Sequence, residues 1–330
     1  MSTISVVSDR AGDLDSSVTD SKHPITSTIR MPLLLAEQQM DVPEHQRGYY
    51  DSSYLADYYE SLWTEHPTLQ DTDIYWRYLK DALLLRKDRN RPFVLLDVGT
   101  GTGRVLKSLI GKVSREPAIP LSSVKFIGMD PSSYMLERAR DGRDLPADAD
   151  VSWFEGSASR LQDLKALTSP AVGVDLLLFA FSGINHLHLP DEVDEFFASM
   201  KHVLRLGGVA LVSVCSALLD VQGSSISNPY GEVKEVKSKR LRGILYREET
   251  TGRTVNGDLL TNSLKTEAVK VNEDGNEEIM ERNNHDVPLR LLTRDFLREC
   301  VARAGLQLLR EEEAVEDFIF VFRKADIDEQ

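Results

Sequence analysis

The chain has 330 residues, with 53 acidic against 39 basic side chains and a formal charge of −14. It is long enough for one large or two modest domains, and it is repelled by phosphate backbones, which disfavours nucleic acid as a partner. Its two cysteines, Cys215 and Cys300, stand far apart and support neither a disulfide framework nor a zinc site, which fits a reducing, cytoplasmic compartment. No stretch reaches the roughly 18 apolar residues of a membrane span, and the early acids Asp9, Asp13 and Asp15 leave no visible export signal, so a soluble protein is expected.

In chain order, residues 1–45 are rich in Ser, Thr and Asp without sustained periodicity and read as a flexible tail. Residues 46–92 form an N-terminal helical cap, in which residues 54–84 look helical because Leu55, Tyr58, Tyr59, Leu62 and Trp63 recur at helical spacing. From residue 93 short apolar runs alternate with amphipathic stretches, the α/β signature of a mostly parallel sheet. The runs 93–98, 124–129, 151–154, 174–181 and 208–214 are the expected strands of a core over residues 93–220. Residues 191–204 are the clearest helix, with Gly207-Gly208 as its stop.

Residues 221–290 change character. Segments 232–237, 244–250, 262–271 and 278–287 read as extended and polar-faced, with turns at Thr251-Gly252 and Asp274-Gly275, an antiparallel insertion capping the site. Asn228-Pro229-Tyr230 is read as a turn. Residues 291–325 return to the core with a helix capped by Thr293 and stopped by Gly305, then strands over 307–310 and 317–322. Glu311-Glu312-Glu313 reads as a solvated turn between them.

The chemistry-bearing segment is Val94-Leu95-Leu96-Asp97-Val98-Gly99-Thr100-Gly101-Thr102-Gly103. The dinucleotide fingerprint Gly-x-Gly-x-x-Gly fails in both registers, because its third glycine would fall on Arg104 or Leu106. A phosphate loop fails as well, since Lys107-Ser108 has no glycine before it. What remains, Asp97-x-Gly99-x-Gly101-x-Gly103, resembles motif I of class I S-adenosylmethionine-dependent methyltransferases. The resemblance implies a Rossmann-like fold with a seven-stranded, mostly parallel sheet and helices on both faces, and S-adenosyl-L-methionine as cofactor.

It also implies roles. Asp97 faces the ammonium end of the cofactor while Gly99, Thr100, Gly101 and Gly103 let the backbone pass beneath its methionine moiety. Phe126-Ile127-Gly128-Met129-Asp130-Pro131-Ser132 ends in the ribose acid, Asp130, with Pro131 beside it; a helix starts at Ser132 and brings Met135 near the adenine. In Phe154-Glu155-Gly156-Ser157-Ala158, Ser157 replaces the family's usual acid, leaving its hydroxyl and the Ala158 N–H to read the ring edge. Phe179 and Ala180, in Asp175-Leu176-Leu177-Leu178-Phe179-Ala180-Phe181-Ser182, match the fourth-strand motif, and Leu204-Arg205-Leu206-Gly207-Gly208 matches the Leu-x-x-Gly-Gly before the fifth strand.

The fourth-strand position lacks the Asn/Asp-Pro-Pro-Tyr of base-methylating enzymes, which disfavours nucleic-acid methylation. The segment Phe181-Ser182-Gly183-Ile184-Asn185-His186-Leu187 and the stretch Asn284-His285-Asp286-Val287-Pro288-Leu289-Arg290-Leu291-Leu292-Thr293 resemble the glycine/sarcosine and amino-sugar N-methyltransferase branch. A small-molecule acceptor is therefore expected, on an amine nitrogen, with a hydroxyl or carboxyl as the alternative atom and a noncatalytic cofactor-binding subunit as the alternative class. His186 is the candidate base, since an ordinary imidazole titrates near neutrality. Tyr58, with Tyr59 and Trp63, is a candidate aromatic wall for the sulfonium, and Tyr246 and His285 are weaker acceptor-side candidates. Asp191 and Glu192 read as a helix N-terminus, so no metal is expected. The oligomeric state is open.

Overall fold

A computed structural model describes residues 50–63, 71–141, 145–167, 173–221 and 231–324. The tail expected at residues 1–45 and the Asn228-Pro229-Tyr230 turn lie outside them. Ser52 starts helix α1 (Ser53–Trp63) by accepting the Leu55 N–H at 3.0 Å, the usual hydroxyl answer to an orphan first-turn donor. Helix α2 (Asp71–Leu85) follows, burying Tyr75, Leu79 and Leu83 on one face.

The core then alternates as its sequence pattern dictates: β1 (Phe93–Val98), α3 (Arg104–Ser114), β2 (Val124–Asp130), α4 (Ser133–Arg140), β3 (Asp150–Glu155), β4 (Val174–Phe179), α5 (Glu192–Val203) and β5 (Leu204–Cys215). Next come the insertion strands β6 (Val233–Lys237), β7 (Ile244–Asn256), β8 (Leu259–Val271) and β9 (Glu277–Arg290), then α6 (Arg294–Ala304), β10 (Gln307–Glu313) and β11 (Asp317–Arg323). Two sheets result. One has seven strands in the order β10-β11-β5-β4-β1-β2-β3, with β11 alone antiparallel to the rest; the other is the four-stranded β6-β7-β8-β9.

Apolar residues on both faces of the central strands explain the layering. Leu95, Phe126 and Leu178 pack with α2 and α3 on one face, and Leu96, Ile127 and Leu177 pack with α5 and α6 on the other. A third cluster lies under the insertion, where Tyr58 meets Tyr246, Leu260 and Leu264. No helix among the described residues is long and apolar enough to cross a membrane.

Three local expectations are corrected. Gly207-Gly208 does not stop α5; the helix ends at Val203 and the glycines lie inside β5, where the β4–β5 register shifts. A Cβ on Gly208 would stand 2.8 Å from the Val174 carbonyl oxygen, so strand pairing, not helix termination, demands the small residue. Thr251-Gly252 is likewise a bulge within β7, and the reversal falls at Gly257-Asp258, between the paired Asn256 and Leu259. Glu311-Glu312-Glu313 belongs to β10, held by Arg294 on Glu311 at 2.7 Å and by Arg77 and Tyr78 on Glu312.

Gly103 caps α3 with φ +82°, and a Cβ there would lie 2.8 Å from Cη2 of Trp153. Gly103→Ala should therefore lower unfolding free energy by about 1–2 kcal/mol, the cost of a left-handed alanine. Chemical denaturation reads this directly, and an unmoved midpoint would show that the turn relaxes.

Candidate active site

Strand order reverses at β1 and β4, since β2 and β3 run outward on one side and β5 on the other. Such a switch point opens a crevice beyond the carboxyl ends of the strands, because the connecting loops diverge there. A cavity of about 270 Å³ occupies it. Gly99 and Gly101 after β1, Asp130 and Pro131 after β2, Met135 of α4, Ser157 and Ala158 after β3, and Phe179 and Ala180 of β4 all line it. Asp97, Thr100 and Gly103 are not in the lining.

Asp97 is 1% exposed. Its Oδ2 accepts the Thr100 hydroxyl at 2.6 Å, while its Oδ1 is buried without a hydrogen-bond partner among the described residues. Burial pushes its pKa up to about 7, against the lowering influence of Thr100 and Arg104. Asp130 accepts the Gly101 N–H at 2.8 Å and the Ser132 N–H at 2.9 Å, so it stitches the glycine turn to the start of α4. Burial raises it to about 6 despite those two bonds. Ser132 caps α4 by accepting the Met135 N–H, which points Met135 into the cavity wall. The Ser157 hydroxyl caps the short turn Ala158–Asp163 and lies 3.1 Å from that of Ser159.

The loop after β4 is strained. Phe181 and Ser182 both have φ +54°, conformations that cost about 1–3 kcal/mol each and persist only when surroundings over-determine them. Here the Ser182 N–H donates to Ser213 Oγ at 2.5 Å and its hydroxyl donates to the buried Asp317 at the start of β11. Farther along, Arg290 at the end of β9 donates to the carbonyls of Leu187, His188 and Leu189, and Asn185 donates to the Arg290 carbonyl at 2.8 Å. The insertion thus latches the loop that carries His186.

His186 lines the cavity, with Nε2 buried and without a hydrogen-bond partner among the described residues. Burial lowers its pKa to about 4, helped by His188. The ordinary imidazole value assumed from sequence is therefore corrected: the ring is neutral across physiological pH and suited to accepting a hydrogen bond, and it holds a proton only weakly.

Among the aromatic candidates, Tyr58 is corrected in position. It is absent from the cavity lining and packs on Tyr246, ring centroids 5.5 Å apart, where burial and the Glu248 charge raise its phenol pKa. Its helical neighbour Tyr59 lines the cavity instead, together with Tyr50, whose ring stands 6.1 Å from that of His186. Trp63 meets Phe181 edge-on at 4.8 Å, buttressing the wall. Tyr246 donates to Asp57 at 2.7 Å, which also takes Arg138 of α4 and Ser238, tying α1 to α4 and to the insertion. No sequence signal singled out Tyr50 of the lining, and Gly183 and Leu187 entered only as part of the segment around His186; Glu192, expected only as a helix start, lines it too while accepting the Leu189 N–H.

The set suits a cationic, hydroxyl-bearing ligand: a buried carboxylate oxygen in want of a donor, a second carboxylate in the wall, and an edge of bare glycines. Residues 95–208 match the methyltransferase domain family. The chain is 54% identical over 286 residues to the N-methyltransferase FrzE of Cladobotryum sp, covering 86% of this chain and 99% of that one. In structure it resembles the sugar N-methyltransferase KedS8 of Streptoalloteichus sp, with TM-score 0.58 and 16% identity over 89% of this chain and 100% of that one. It also resembles CalS10, an amino pentose methyltransferase of Micromonospora echinaspora, with TM-score 0.55 and 20% identity over 85% and 100%.

Proposed function

Since this chain belongs to the family of S-adenosylmethionine-dependent methyltransferases, we propose that it methylates an amine nitrogen of a small molecule in the crevice between the seven-stranded sheet and the insertion. The observation that carries this reading is the union, in one cavity, of the Asp130 and glycine wall with His186, Tyr59 and Tyr50. The bound cofactor supplies an electrophilic methyl group on a sulfonium. Asp97 would hold its ammonium from behind the lining, Asp130 its ribose hydroxyls, and Met135, Ser157 and Ala158 its adenine, with Gly99, Gly101, Pro131, Phe179 and Ala180 shaping the bed and Thr100 and Gly103 supporting the turn behind it.

The acceptor would enter against Tyr59 and His186. In-line methyl transfer needs alignment and dryness above all, and the aromatic wall offers both. His186 would accept a hydrogen from the acceptor and aim the nitrogen lone pair, a task for which a neutral ring is the right form.

Transfer of labelled methyl to a panel of small amines and phenols tests the proposal. Label on nitrogen is the expected result; cofactor binding without any labelled acceptor would count for a noncatalytic subunit, and label on phenolic oxygen for the alternative atom.

Asp97 has a further consequence. With a pKa of about 7 it is half protonated at pH 7, and a neighbouring ammonium would draw it into the ionised form, so cofactor binding should release about half a proton there. Affinity should then rise between pH 6 and 8 and level off once the free enzyme is already ionised. Calorimetry in buffers of different ionisation enthalpy measures the proton count, and Asp97→Asn should abolish it. Proton release that persists in Asp97→Asn would assign it elsewhere.

A further inference from the structure

Three acids stand in the first turn of α5: Glu192, Asp194 and Glu195. Acids suit a helix start because the N–H groups there are unpaired, and this is reason enough for Asp194, which pairs with Arg303 at 2.8 Å, and for the exposed Glu195. Glu192 differs, because it lines the cavity. Its Oε2 accepts the Leu189 N–H at 2.8 Å, and its Oε1 has no hydrogen-bond or ion-pair partner among the described residues. An ionised carboxylate offers about four acceptor positions, so one N–H leaves most of its capacity unused.

The two faces of the sheet fix which end of the cavity Glu192 occupies. Val193, next to it in α5, packs in one cluster with Ala158 and Leu187. The short turn Ala158–Asp163 packs against α5, and the Leu161 N–H donates to Ser199 of that helix at 2.7 Å. Phe181 and Tyr59 instead pack with the cluster of α2 and α3 on the opposite face. Glu192 therefore shares the Ser157 and Ala158 end of the cavity, not the aromatic wall.

That end is short of acceptors. The reading edge of adenine presents a donor, the 6-amino group, beside an acceptor, N1. The Ala158 N–H, at the head of its turn, is a donor and suits N1. The Ser157 hydroxyl already accepts the Ser159 N–H and lies 3.1 Å from the Ser159 hydroxyl. In the loop before α5, the carbonyl of His186 faces His188 Nδ1, and those of Leu187, His188 and Leu189 accept from Arg290. Of these groups, Glu192 Oε1 is the acceptor not already engaged.

We propose that Glu192 accepts the 6-amino group of the cofactor's adenine, so that a single carboxylate selects adenine over purines lacking that group and also holds the loop before α5. This rests on the placement of the cofactor in the cavity. Oε2 stays on Leu189 while Oε1 takes the amino group, so recognition of adenine and seating of the loop that carries His186 share one side chain.

Calorimetric binding of S-adenosyl-L-homocysteine and of its deamino analogue, with hydrogen in place of the 6-amino group, tests this on the full-length enzyme. The parent should bind the deamino analogue about 10- to 100-fold more weakly, the range for losing a hydrogen bond to a charged group. Glu192→Ala should bind the two alike. Glu192→Gln keeps the size of the side chain but has one oxygen for two donors, so it should lose much of the discrimination too, and it serves where Glu192→Ala fails to fold. Full discrimination in a folded variant, or equal binding of the two compounds by the parent, overturns the proposal. A raised KM for the acceptor with discrimination intact also overturns it and moves Glu192 to the acceptor side. Unchanged affinity for S-adenosyl-L-homocysteine in Asp130→Ala, measured alongside, overturns the placement of the cofactor itself, and the role of Glu192 with it.

Discussion

His186→Ala should lower kcat by about 10²- to 10⁴-fold, the range for loss of a positioned proton acceptor, while cofactor affinity stays near that of the parent enzyme. The reason is placement. His186 sits on the latched loop after β4 and lines the cavity, and its carbonyl pairs with His188 Nδ1 at 2.9 Å, away from the glycine turn. With a pKa of about 4 the ring is neutral from pH 5 upward, so it contributes no acid limb in the working range. At saturating cofactor the rise with pH of kcat/KM for the acceptor should then follow deprotonation of the acceptor amine and have the same shape in His186→Ala, displaced downward. Steady-state kinetics from pH 5 to 9 would show this; full activity in the variant removes His186 from the reaction, and a limb near pH 6.5 that vanishes with it would restore the role of proton-storing base.

Asp130→Ala should weaken S-adenosylmethionine binding by about 1–3 kcal/mol, or roughly 5- to 150-fold, from the loss of hydrogen bonds to a charged acceptor. Two effects add. The ribose hydroxyls would lose the carboxylate proposed for them, and the N–H groups of Gly101 and Ser132 lose theirs, which loosens the turn even before ligand arrives. Asparagine should rescue little, because one end of its amide is a donor and would face an N–H. Calorimetric affinity equal to the parent's would remove Asp130 from the site.

The glycine turn and the strand ends that frame the cavity were legible because their signals are local. Asp97 through Gly103 and the apolar run into Asp130 are contiguous, and fully buried parallel strands need uninterrupted apolar runs, so composition alone locates them. The acceptor half was less so. Tyr58 and Tyr59 are adjacent on one helix and chemically alike, and helical spacing cannot say which of two neighbours meets the cavity and which meets Tyr246. Gly207-Gly208 and Thr251-Gly252 look like terminators in one dimension, yet each answers to a partner strand distant in sequence.

The sequence by itself determined the α/β class and the methyl donor, because motif spacing and apolar periodicity act within a few residues. Only the tertiary structure decided that Asp317 and Arg290 hold the strained loop after β4. Only it lowers His186 to about 4 by burial, and sets Glu248, Thr266 and Asn283 in register across three strands. Those features depend on desolvation and on strand register between segments more than a hundred residues apart in the case of Arg290 and Leu187. Neither quantity exists until the chain has folded.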